Sequence, residues 1–370
     1  MSGNKDKAKA PLPRVKIAAE IEPLFSLYMP ASLGEICQGI HNQQERLASY
    51  AINLFNQMLF YPGKLPVRSN KTSGNQQPIS LEKADGSRKS PAIYYYRTLP
   101  ADSNKSSATS SAGSDNYLTP RLIPVVSCMP AKLRRLFRLF CQQNQTKQLP
   151  RHLSLVHISR IPVGRGMGSS TADLALLAAG LKKLCKQGCK SGWLARLLPT
   201  IEPTDSTIFT PMTIYEQNQG SGWQSLGSLQ KKARVLALGQ PGSEDTVASR
   251  HARPQPPRVS SCFQLLTDAV RQNDLELLGR AATCSSRKWQ DRLNYPGLAE
   301  IIEISQNCGC AGVNIAHSGN VMGIIYQQDK ADIAGFMETI DRRGLSVYYP
   351  QQHKYDIIAG GIRTAKNLTE

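Results

Sequence analysis

The stretch IPVGRGMGSST, residues 161–171, sets three glycines and two serines between a β-prone run, HLSLVHISR (152–160), and an apolar-periodic run, ADLALLAAGLKKL (172–184). Leu174, Leu177, Leu181 and Leu184 recur at helical spacing, so the second run predicts a helix near 169–186 with a core face. A helix N-terminus carries unpaired N–H groups and the positive end of the helix dipole. A glycine-rich loop leading into it lets the backbone close around an anion, usually phosphate. Ser169 and Ser170 suit three roles at that point: capping the helix, binding phosphate oxygens, or helping to hold a metal ion. The loop lacks the Gly-Lys-Ser/Thr ending of a Walker loop, and Gly164-x-Gly166-x-Gly168 does not match the Rossmann spacing.

The remaining elements favour an α+β fold, because strands and helices alternate without a steady βαβ rhythm. YMPASLGEICQG (28–39) predicts a strand, a turn around Gly34, and a second strand or helix start. AKLRRLFRLF (131–140) and LKKLCKQGCK (181–190) read as amphipathic helices, Leu and Phe inward and the basic residues toward solvent. RVLALG (234–239) predicts a strand, and helices are expected near 262–272 and 274–288, with Asn273 able to cap the second. LAEIIEISQNCG is a helix ended by Gly309, and GVNIAHSGNVMGIIY (312–326) a β-hairpin turning at Ser318-Gly319-Asn320. Residues 1–22 form a basic tail. The Ser/Asn-rich stretch 69–116 cannot bury enough apolar surface to fold alone and reads as a flexible insertion, with AIYYYRTL inside it a short strand.

The net charge of +18 raises nucleic acid as a partner. Base stacking would need aromatics interleaved with the basic residues. The two Phe of LRRLFRLF fall at core spacing instead, so no specific nucleic-acid partner is expected. No apolar run approaches a membrane span, and no membrane partner is expected. The nine cysteines lack a framework spacing, which suits reduced thiols in a cytoplasmic protein. Cys185/Cys189 and Cys308/Cys310 lack the partners of a zinc site.

The full pattern Pro162-x-x-x-Gly166-Met167-Gly168-Ser169-Ser170-Thr171 resembles the phosphate-binding motif of the GHMP kinases, the superfamily named for galactose, homoserine, mevalonate and phosphomevalonate kinases. PASLGEICQG (30–39) resembles the N-terminal substrate-side motif, and GVNIAHSGNVMGIIY the C-terminal glycine-rich motif. Together with IEPTDSTIF (201–209), these stretches are similar to the L-threonine kinases of cobalamin biosynthesis, over roughly 28–63 and 151–365.

The resemblance implies a two-lobed α+β fold with ATP and substrate in the cleft between lobes, residues 23–200 forming the N-terminal lobe and 201–370 the C-terminal one. It implies a cytoplasmic, ATP-dependent kinase that phosphorylates the hydroxyl of L-threonine, or of another small alcohol such as homoserine. Pro162, Val163, Gly164, Arg165, Gly166, Met167, Gly168, Ser169, Ser170 and Thr171 would bind ATP, with Ser170 on Mg²⁺. Pro203-Thr204-Asp205 reads by itself as an ordinary turn. The resemblance makes Asp205 the catalytic candidate beside Ser170, orienting or deprotonating the substrate hydroxyl, with Glu202 the second carboxylate.

Ser32, Glu35, Gln38, His317, Ser318 and Gly319 are the candidate substrate contacts, Glu35 suiting the ammonium of an amino acid and Asn320 a further donor. Arg165 faces either phosphate or solvent. Asp173 reads as stabilising the helix dipole. In one departure from the resemblance, Asn53 stands where the early strand is expected to carry an Asp.

Overall fold

The computed structural model describes residues 21–65, 92–98, 125–126, 129–143, 148–242 and 255–367. Most of the basic tail (residues 1–20 of 1–22) and most of the Ser/Asn-rich stretch (69–91 and 99–116) lie outside the described residues. The first motif opens on β1 (Phe25–Ser32), turns at Gly34 and continues into the hairpin β2 (Cys37–His41) and β3 (Gln44–Ala48). β4 (Ala51–Pro62) then runs back antiparallel to β1. AIYYYRT forms β5 (Ala92–Thr98), with Ile93, Tyr95 and Tyr96 buried. A core strand therefore falls inside the stretch that composition reads as an insertion. Its β-branched and aromatic residues suit a pleated, buried surface whatever flanks them.

After β6 (Val125–Val126) come α1 (Ala131–Gln143), β7 (His152–Ile158) and α2 (Ser169–Leu184). The buried Leu133, Leu136, Phe137 and Phe140 of α1 follow the expected stripe. α2 departs from the one-sided expectation. Every residue from Thr171 to Leu181 is buried, because the helix lies between α1 and the β1–β4 face of the sheet. Its small residues permit that approach, and a Cβ on Gly180 would overlap the Phe60 ring. The stretch 181–190 is not one helix. α2 stops at Leu184, Lys186 takes a positive φ of 54°, and α3 (Ser191–Leu197) begins anew.

The rest of the chain supplies β8 (Met212–Tyr215), β9 (Trp223–Gly227), β10 (Arg234–Gly239), α4 (Ser260–Gln272), α5 (Leu275–Trp289), α6 (Leu298–Asn307), β11 (Gly312–Ile315), β12 (Val321–Tyr326), α7 (Ile333–Arg342), β13 (Gln351–Ile358) and β14 (Arg363–Thr364). Asn273 closes α4 in a left-handed conformation. Asp274 caps α5 through its carboxylate, which accepts from the amides of Glu276 and Leu277. Asn tolerates φ > 0 at a helix end, which leaves the neighbouring acid to take the cap.

Among the described residues ten strands make one sheet, in the order β11-β12-β10-β13-β4-β7-β5-β6, with β1 between β4 and β14. β13 joins β4 only at Ile357–Ile52 and Ile358–Ala51, so a short seam links the β11-β12-β10-β13 part of the sheet to the β4-β7-β5-β6 part. The smaller sheet β2-β3-β8-β9 packs against α4 and α5. No helix among the described residues is long and apolar enough to cross a membrane.

Candidate active site

Three sequence-distant motifs meet at the head of α2. The backbone amide of Ser32 donates to the Met167 carbonyl at 3.2 Å, Gly34 to Gly166 at 3.0 Å, and Asn320 to Arg165 at 3.3 Å. The β11–β12 turn lies directly on the loop. A side chain on Gly166, whose φ is +79°, would meet Ala316 Cβ and, at 2.9 Å, the Ser318 carbonyl. One on Gly319 would run into the Gly166 amide. The serines do not cap the helix: Gly168 occupies the cap position with φ 71°, no side chain closes it, and Ser169 and Ser170 are the first helical residues. Amides at such an end suit an anion from outside the chain.

A cavity of about 220 Å³ opens over this helix end. Val163, Gly164 and Gly166 to Thr171 line it from the loop, and Ser318 lines it from the β11–β12 turn. Its charged lining residues are Glu35, Glu202, Asp205 and Lys132. Asp205 caps a 3₁₀ turn (Ser206–Ile208), its Oδ1 accepting from the Thr207 amide at 2.9 Å, and its own amide donates to Thr171 Oγ1 at 3.0 Å. Burial, and then the nearby Glu35 charge, push its carboxyl up to about 6, while the Thr207 amide and the Ser32 and Ser49 hydroxyls hold it from rising further. Ser32 also backs Gly168, whose added Cβ would lie 2.8 Å from Ser32 Oγ.

Glu35 is buried, and His317 takes its Oε2 twice, by the backbone amide at 2.9 Å and by ring Nδ1 at 2.8 Å. Trp289 packs edge-on to the His317 ring at 4.7 Å. His317 thus meets the cavity through Glu35. Gln38 and Gly319 are not among the lining residues. Gln38 Nε2 donates to Glu45 Oε1 at 2.9 Å, and Glu45 also accepts from Gln217, which does line the cavity. Arg165 faces neither the cavity nor open solvent. Its guanidinium donates to the Gln240 carbonyl and lies 3.4 Å from Asn320 Oδ1. Pro162 is exposed outside the lining. Asn53 sits away from the cavity, paired with Asp356 on β13 through both its Nδ2 (3.0 Å) and its Oδ1 (2.9 Å).

Lys132 is the site residue that sequence reading passes over. Read as part of a solvated basic face, it instead turns into the cavity with its side chain 27% exposed and donates to Ser170 Oγ. Its Nζ lies 3.8 Å from Asp173 and 3.9 Å from Glu202. Asp173 is no helix-dipole residue either. It is buried beneath Ser170, 2.9 Å from His157 Nε2, and accepts from Asn56 Nδ2 at 2.8 Å. Burial raises its carboxyl, but His157, Lys132 and Asn56 together outweigh that, and the net shift is downward. Asn56 Oδ1 in turn accepts from the amides of Arg160 and Ile161, where the glycine loop begins. A signal for Lys132 exists in principle, since it lies in the first turn of α1 beside the apolar stripe; nothing in that spacing tells which neighbour the turn faces.

The model for the GHMP kinases N terminal domain matches residues 131–211, and that for the GHMP kinases C terminal matches 266–337. The chain is 31% identical over 213 residues to an L-threonine kinase of Salmonella typhimurium, an alignment covering 55% of this chain and 70% of the relative. It is 30% identical over 227 residues to an L-threonine kinase of Citrobacter freundii, covering 58% and 78%. Among solved structures, a homoserine kinase from Cytophaga hutchinsonii superposes with a TM-score of 0.57 at 11% identity, covering 92% of this chain and 96% of that one. That likeness is one of fold.

Proposed function

The chain belongs to the GHMP kinases, and from that footing we propose that it transfers the γ-phosphoryl group of ATP to the hydroxyl of L-threonine, giving O-phospho-L-threonine for cobalamin biosynthesis. The observation that carries this reading is the pairing, in one cavity, of an uncapped glycine-loop helix end with a half-buried carboxylate, Asp205, tied to that same helix through Thr171. Preference for threonine over homoserine rests on the relatives at 30–31% identity, since the homoserine kinase is alike only in fold.

The chain's own residues divide the work as follows. Backbone amides at the head of α2 receive the phosphates. Ser170 and Glu202, both beside Lys132 Nζ, would hold the Mg²⁺ that accompanies ATP; magnesium usually takes one or two carboxylates and completes its shell with phosphate and water, which suits this donor set. When bound, it would neutralise charge on the phosphate oxygens. Asp205 orients the threonine hydroxyl and accepts its proton, and with its carboxyl at about 6 it is mostly ionised at neutral pH. Glu35, its Oε2 taken by His317, turns its other oxygen to the substrate ammonium. Ser318 donates to the substrate carboxylate.

A panel of L-threonine, L-homoserine and L-serine with ATP, followed by ADP release and by mass and ³¹P spectra of the product, tests the reading. The expected result is the highest kcat/KM for L-threonine and phosphate on its side-chain oxygen. A higher kcat/KM for homoserine, or ATP hydrolysis without phosphoryl transfer, overturns it.

A further inference from the structure

We propose that Lys132 is the phosphate-binding cation of this site and that Asp173, oriented by His157 and Asn56, positions it. The inference rests on the kinase reading above in taking the ligand to be a nucleoside triphosphate. Three carboxylates and one ammonium line the cavity: Glu35, Glu202 and Asp205 against Lys132. A polyphosphate entering such a lining meets repulsion from most of its charged groups, and a metal ion held by Ser170 and Glu202 offsets only part of it. Arg165, the basic residue inside the loop, is turned away onto the Gln240 carbonyl. Among the described residues Lys132 is the one lining residue with a positive charge, and it stands at Ser170, the second residue of the helix whose amides face the cavity.

The support beneath Lys132 is built rather than incidental. Asp173 is buried, lies 3.8 Å from Lys132 Nζ, and is gripped on its other side by Asn56 and His157. Tyr95 Oη lies 2.7 Å from His157 Nδ1, so the chain of contacts runs from the sheet interior to the ammonium. A buried carboxylate with that many partners has little freedom, and a lysine beside it is held over the helix end instead of being left to solvent. Lysine binds phosphate as a point charge. When the nucleotide arrives, its phosphate oxygens replace the Ser170 hydroxyl as the acceptor, which leaves Ser170 to the metal.

The test uses the full-length chain and calorimetric titration with ATP·Mg²⁺, alongside steady-state kinetics and melting. Lys132→Met is expected to weaken nucleotide affinity about ten- to a hundredfold, in the range of a hydrogen bond to a charged group, with Tm little changed, and Lys132→Arg to recover part of the loss. Asp173→Asn is expected to weaken affinity severalfold at a temperature well below its own Tm. The double variant Lys132→Met/Asp173→Asn is expected to bind no more weakly than Lys132→Met alone, since a positioning residue has no effect once the group it positions is gone. Unchanged affinity in Lys132→Met overturns the proposal, and so does full additivity in the double variant. Failure of the wild-type chain to phosphorylate L-threonine would sink the substrate reading and leave these affinity differences to be read on their own.

Discussion

The backbone amide of Asp205 donates to Thr171 Oγ1 at 3.0 Å, so the acid and the third residue of α2 share one hydrogen bond. This bond ties the proposed base to the helix end proposed to receive the phosphates. Thr171→Val keeps the shape and leaves the partly buried Asp205 amide unpaired, at a cost of about 1 kcal/mol. The expected outcome is a kcat lower by about tenfold at near-normal ATP affinity, recovered in Thr171→Ser. Normal kcat in the valine variant would show that the acid is held without this bond.

Asp205→Asn is expected to lower kcat about a hundred- to ten-thousandfold while ATP·Mg²⁺ affinity stays within a few fold. Wild-type kcat/KM should fall tenfold per unit as pH drops below about 6, where the carboxylate takes up its proton. A loss near the lower bound with a flat acid limb would make Asp205 an orienting group. Near-normal turnover on L-threonine would reduce it to a turn residue.

The same carboxylate carries a stability signature of opposite sign. Its folded value of about 6 lies above the ordinary value of 3.8, so the folded state binds more protons than the unfolded chain between those limits. Stability contributed by this group falls as pH rises through that window and is lowest above it. Asp205→Asn mimics the protonated form and keeps a cap for the Thr207 amide. Its Tm is therefore expected to exceed that of wild type at pH 7.5, and the difference to vanish near pH 4. A lower Tm at pH 7.5 would contradict the assigned environment.

Gly166 is pinned by the β11–β12 turn. Gly166→Ala is expected to reduce ATP·Mg²⁺ affinity by more than tenfold, because its Cβ must displace Ala316 or the Ser318 carbonyl and because φ of +79° disfavours a side chain. Gly188→Ala meets nothing within 4 Å and serves as the neutral control. Calorimetric titration of both, with melting curves to confirm folding, decides it; equal affinities would remove the loop from the binding site.

Glu35→Gln is expected to raise the KM for L-threonine at least tenfold and leave that for ATP unchanged, since Gln retains an acceptor for the His317 amide but not the charge for an ammonium. A rise confined to ATP would move Glu35 to the phosphate side of the cavity.

What the chain states locally, it states well. A run of left-handed glycines between a strand and a helix, a hairpin turning at Ser318-Gly319-Asn320, and an apolar stripe on α1 are all properties of neighbouring residues, legible because backbone sterics and periodicity act over a few positions. Glu35, Glu202, Asp205 and the loop itself were within reach of motif reading for the same reason. The direction a side chain takes once elements pack is another matter. Lys132 and the solvent-facing basic residues of α1 belong to the same basic run and differ only in which neighbour each meets. Asp173 became the base of a buried network because Asn56 and His157 arrive from β4 and β7, more than a hundred residues away in one case. Asn53, read as a departure from the resemblance, is spent on a strand seam with Asp356, and Gln38 on Glu45. Spacing along a helix or strand specifies a face; only the packing of distant segments decides what that face confronts, and it was this packing that turned a helix of basic and apolar residues into one wall of the cavity over the head of α2.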